Sequence, residues 1–77
     1  MQIFIKSLKS KTLTLDVDHS NTIEDIKQKI YDRENIPLKY QKLEYAGKLL
    51  ENHRTLSDYN VECDSTLFLS FRLLAEK

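Results

Sequence analysis

One segment constrains the fold more than any other: a single amphipathic helix with its own start and stop signals, flanked by stretches of a different period. Thr22-Ile23-Glu24-Asp25 has the spacing of a capping box. The threonine oxygen can accept the Asp25 amide, and the two acidic residues suit the electropositive first turn. Ile23, Ile26 and Ile30 then recur at i, i+3 and i+7, one apolar stripe along a helix. Ile36-Pro37 prevents continuation, since proline lacks an amide and pushes the residue before it out of helical geometry. Asn35 tolerates positive φ better than most residues and is the expected left-handed terminus.

On both sides the period changes to two. Met1, Ile3 and Ile5 alternate with Gln2, Phe4 and Lys6, and Leu13, Leu15 and Val17 resume the alternation after a short polar stretch around Leu8. These two runs predict an opening β-hairpin with Leu8 at its tip. After Pro37, Gln41, Leu43 and Tyr45 alternate with Lys42 and Glu44. Ala46-Gly47, with the sole glycine, predicts a turn into Lys48-Leu49-Leu50. A loop anchored by Leu56, Tyr59 and Val61 leads to a last strand, with Leu67, Leu69 and Phe71 on one face and Phe68, Ser70 and Arg72 on the other. The order β-β-α-β-β gives one sheet and one helix to cover it, a two-layer α+β domain.

Chemistry-bearing residues are few. His19, His53 and Cys63 are the only candidates for a nucleophile–base set or soft metal ligands, and no two have a metal-site spacing. Cys63 lies between Glu62 and Asp64, whose charge disfavours the thiolate that a nucleophile needs. Ala46-Gly47-Lys48 lacks the second glycine and the Ser/Thr of a phosphate loop. No catalysis, cofactor or metal is expected. Twelve Lys+Arg balance twelve Asp+Glu, which argues against a nucleic-acid partner. No apolar run is long enough to span a bilayer, and Met1 leads straight into a strand pattern with no leader visible. One cysteine permits no internal disulfide and fits a reducing compartment.

Met1-Gln2-Ile3-Phe4, Leu43…Ala46-Gly47-Lys48, Arg54-Thr55-Leu56-Ser57-Asp58-Tyr59-Asn60 and Ser65-Thr66-Leu67 resemble ubiquitin, in order and without insertion or deletion. The resemblance implies a β-grasp (ubiquitin-like) roll: a mixed sheet packed on one helix, with first and last strands adjacent and parallel. Residues 1–72 are then the ubiquitin-like domain and 73–77 a flexible tail or linker. Conjugated family members end in Leu-Arg-Gly-Gly, whereas this sequence reads Leu73-Leu74-Ala75-Glu76-Lys77. Transfer chemistry is therefore not expected of the chain as written.

The resemblance also directs attention to the outward sheet face. Family members carry an apolar patch at the positions of Leu8, Glu44 and Ser70, two of which are polar here. A carboxylate at the centre of an apolar contact is left desolvated and unpaired, at a cost of about 1–3 kcal/mol. Receptors of the family patch should bind weakly. In its place stands Phe68, expected beside Lys42, Lys48 and Arg72 with Glu44 among them, an anchor for a partner with an acidic rim. Leu49 and Leu73 complete the candidate partner-binding set; Tyr31, Tyr40 and Leu49 are each expected to be half-buried packing residues.

Lys6, Lys11, Lys27, Lys29 and Lys48 align with chain-linkage lysines of ubiquitin, and Lys48 is a possible isopeptide acceptor. Arg33 and Cys63 replace two other such lysines. Lys27 is expected to be partly buried, with Asn52 where the family has an aspartate partner. Ser10, Asn35 and His53 replace family glycines. A non-glycine residue at positive φ costs about 1 kcal/mol, less for asparagine, so a somewhat less stable fold is expected. Retained Arg54, Arg72 and Leu73, which in the family contact the activating enzyme, are compatible with a decoy.

These residues imply a monomeric protein-interaction module of the ubiquitin–proteasome system, cytoplasmic or nuclear. It could be the N-terminal docking domain of a longer protein. A free-standing mimic that engages pathway enzymes without transfer, and a fusion partner of a ribosomal protein, remain open; a conjugated modifier would need a C-terminal glycine.

Overall fold

The computed structural model describes residues 1–7 and 12–71. The elements run β1 (Gln2–Ser7), β2 (Thr12–Asp16), α1 (Ile23–Glu34), β3 (Gln41–Tyr45), β4 (Lys48–Leu49) and β5 (Thr66–Phe71), with 3-10 turns at Leu38–Tyr40 and Ser57–Tyr59. The α+β class expected from the element order is the one found, and the sheet is mixed. Its strand order is β2-β1-β5-β3-β4. β1 and β5 are parallel and every other pair is antiparallel.

Helix α1 starts and stops where its local chemistry dictates. Thr22 Oγ1 accepts the Asp25 amide at 3.1 Å, and Asp25 Oδ2 accepts the Thr22 amide at 3.0 Å. Asn35 closes the helix at φ 61° and donates its amide to the Tyr31 carbonyl at 2.8 Å. Of the three glycine replacements, Asn35 does occupy left-handed backbone, His53 does not, and Ser10 lies outside the described residues. The cost expected at His53 does not arise. Ala46 carries one instead, at φ 54° beside Gly47 at φ 79°, the pair of positive φ values that a two-residue hairpin turn demands.

The stripe Ile23, Ile26 and Ile30 covers the inner sheet face, where Ile3, Ile5, Leu13, Leu15, Leu43, Leu67 and Leu69 are buried. Each such side chain contributes about 1.5–3 kcal/mol of transfer free energy. Alternation sends Gln2, Lys6, Thr12, Thr14, Lys42, Glu44 and Phe68 to the other face. Two polar residues enter the inner layer. Gln41 donates its amide to the carbonyls of Lys27 (3.0 Å) and Ile36 (2.8 Å), tying β3 to the first half of α1 and to the connection that follows it. Lys27 is 7% exposed, and its ammonium donates to Asn52 Oδ1 at 2.6 Å. The loop between β4 and β5 is pinned to the helix start by Ile23 N–H to Arg54 O and Leu56 N–H to Asn21 O.

Candidate functional site

With the helix on one face, the sheet presents the other to solvent. The strand registers align one row across all five strands: Thr12 opposite Lys6, Lys6 opposite Phe68, Phe68 opposite Glu44, and Glu44 opposite Leu49. Residues in register share a face, and directly opposed side chains lie about 5 Å apart at Cβ. The row thus reads hydroxyl, ammonium, phenyl, carboxylate, isobutyl. Phe68 is 53% exposed and Leu49 57%. Glu44 stands between these two apolar groups, itself exposed. In the next row Ser70, half-buried, is opposite Lys42, exposed.

The structure brings together Phe68, Glu44, Leu49, Lys42 and Ser70 of the expected set. Lys48 is exposed, but its register partner is Tyr45, which packs against the core, so it stands one residue out of phase with the Phe68 row. Leu8, Arg72 and Leu73 lie outside the described residues. Leu49 is not the half-buried packing residue expected: a two-residue edge strand offers it no cover. Tyr31, on the solvent side of α1, is likewise more exposed than expected at 40%, while Tyr40 is half-buried, with Lys39 Nζ 5.4 Å from its ring centroid. Lys6 was missed. Alternation already assigned it to the outward phase, and the resemblance placed the first strand beside the last; the absent signal was the register that sets Lys6 against Phe68.

The row offers apolar contact at Phe68 and Leu49 and unlike charges at Lys6 and Glu44. A partner covering Phe68 and Leu49 must strip water from Glu44 unless it supplies a donor there. Elsewhere, Cys63 is exposed, and His53 Nε2 lies 3.4 Å from Glu51 Oε1, which also accepts from Arg54 Nε at 3.4 Å. Among the described residues no group of three His, Cys, Asp or Glu side chains is placed to hold a metal ion, and no helix is long and apolar enough to cross a membrane.

A five-stranded mixed sheet packed on one helix, with first and last strands adjacent and parallel, defines a small β-grasp domain. The sequence profile of the ubiquitin family matches residues 3–74. NEDD8-like protein RUB3 of Arabidopsis thaliana is 37% identical over 95% of this chain and 94% of its own length. Ubiquitin-like protein 1 of Schizosaccharomyces pombe is 34% identical over the same shares. Ubiquitin-like protein 4A of Rattus norvegicus is 33% identical over 90% of this chain, which spans 44% of that longer protein. The chain belongs to the ubiquitin family.

Proposed function

We propose that this chain is a ubiquitin-like docking module of the ubiquitin–proteasome system that works by non-covalent contact rather than by transfer, as the N-terminal domain of a longer protein in the cytoplasm or nucleus. The observation that carries this reading is Glu44, held between exposed Phe68 and Leu49 on the outward row. A carboxylate there penalises a plain apolar receptor and selects a partner that meets it with a cation or a hydrogen-bond donor. The exposed ammonium groups of Lys6 and Lys42 favour an acidic rim around that contact. Residues 74–76, Leu-Ala-Glu, where conjugated relatives carry Arg-Gly-Gly, support docking over transfer. The match to a longer relative supports the placement within a larger protein.

A second reading, a free-standing mimic that occupies pathway enzymes, is favoured by relatives whose own length this chain covers to 94%. The intact mass of the native protein separates the two: a mass much above that of 77 residues supports the docking domain, and one near it the mimic.

Surface and chemistry have their own tests. A helical ubiquitin-receptor peptide that grips the family's apolar patch should bind weakly, and Glu44→Ile should strengthen binding about tenfold or more by removing the stranded carboxylate. Equal affinity for both proteins would remove the basis of the docking assignment. With ATP and an activating enzyme of the family, the native chain should form no thioester; efficient thioester formation would overturn the non-covalent reading.

A further inference from the structure

The outward row is complementary to itself. Lys6 and Glu44 occupy the strands on either side of Phe68, β1 and β3 flanking β5. Adjacent strands are about 4.8 Å apart, so the ammonium and the carboxylate are offset by equal and opposite steps from the phenyl ring. A two-fold axis running along β5 through Phe68, parallel to the sheet face, therefore superposes unlike charges. Lys6 of one copy comes over Glu44 of the other, and the exchange occurs twice. Phe68 meets Phe68, an aromatic contact with ring preferences of its own. Leu49, at one end of the row, comes over Thr12 at the other.

From this geometry we infer that the sheet face pairs weakly with a second copy of the same chain, through two reciprocal Lys6–Glu44 contacts around a Phe68–Phe68 centre. Isologous two-fold contacts are the commonest way for like chains to associate, and sheets that pack face to face keep their strands roughly aligned, as this axis requires. The charge order selects the axis. Rotation about the perpendicular in-plane axis would set Lys6 over Lys6 and Glu44 over Glu44. Lys42 does not oppose the pairing: the axis carries the two copies of it to opposite flanks of β5. The contact centres on one row with few neighbours, which places it among small, transient interfaces. At low concentration the chain is a monomer, and the paired form occludes the same face that a docking partner would use. Register and charge alone set this pairing, and it is measured on one purified protein with no docking partner present.

The test is sedimentation velocity over a micromolar-to-millimolar series of the full chain at low salt. Wild type should shift reversibly towards twice the monomer mass, less so at high salt, where exposed charges are screened. Lys6→Glu alone and Glu44→Lys alone should each weaken association about tenfold or more, because two attractive pairs become two repulsive ones. Mixing the two variants in equal amounts should restore it, since each position 6 then faces a position 44 of opposite charge in the partner. The double variant should pair with itself and fail to pair with wild type. Phe68→Ala should weaken pairing independently of salt. Circular dichroism confirms that each variant is folded; all the changes fall on exposed side chains. A wild type that stays monomeric throughout, or single variants whose mixture shows no rescue, overturns the proposal.

Discussion

Ala46 sits at φ 54° with a Cβ that left-handed backbone tolerates poorly. Ala46→Gly should therefore raise stability by about 1 kcal/mol, offset in part by the extra freedom of the unfolded chain. A denaturant midpoint unchanged or lowered by the substitution would show that the turn is not strained there. Lys27 offers a second adjustment. Burial holds its pKa below the ordinary 10.5, with the nearby Glu24 charge pulling the other way. The unfolded chain keeps this proton to higher pH than the folded one, so the linked stability is lowest below the depressed value and rises with pH towards 10.5. Asn52→Asp supplies a counter-charge at the site of the 2.6 Å hydrogen bond and should stabilise by about 0.5 kcal/mol at neutral pH while flattening that rise. Melts across the alkaline range check both. Individual residues were unequally legible. The left-handed end at Asn35 is legible in the sequence because a helix followed by Ile36-Pro37 must end there. The strain at Ala46 depends on a two-residue turn between paired strands, which requires the register and not only the dipeptide.

Among elements, α1 was the most legible, since its boundaries follow from side chains within three or four residues of each end. Thr22→Ala should cost about 1 kcal/mol by releasing the Asp25 amide. The carboxylates that cap turns and helix share a pH signature. Asp25 is held below its ordinary 3.8 chiefly by the Thr22 amide, Asp58 by the Thr55 amide, and Asp18 by the Ser20 hydroxyl and amide. Folded values below unfolded ones mean that their stabilisation is present above the unfolded value and disappears as pH falls through the folded ones. The protein should thus lose stability as pH drops below about 4, and Asp25→Asn should reduce that loss. An acid limb equally steep in the variant would assign it to other groups. Pairing between strands was the least legible feature. Period two gives the faces of β1, β3 and β5 but not which residues stand opposite, and the Phe68 row exists only in those pairings. For the same reason the exposure of Leu49 was missed: nothing local says that β4 stops after two residues.

At the scale of the whole molecule, the two-layer arrangement was legible because each element has one apolar face and only one stacking buries them all. A domain of 77 residues has little stability in reserve. Ile30→Ala, which removes most of a fully buried side chain from the centre of the helix–sheet contact, should cost about 2–5 kcal/mol and leave much of the population unfolded at body temperature. Retention of a cooperative melt near the wild-type temperature would mean that the layer can collapse around the gap. The sheet order has a kinetic consequence as well. β5 is the last of the described strands and yet lies at the middle of the sheet, between β1 and β3. A nascent chain that has not yet delivered Thr66 to Phe71 holds two separate hairpins with no strand to join them. Half of this domain is not half folded. During synthesis the sheet of this domain stays open until Thr66–Phe71 has left the ribosome, and only then can its two halves be joined.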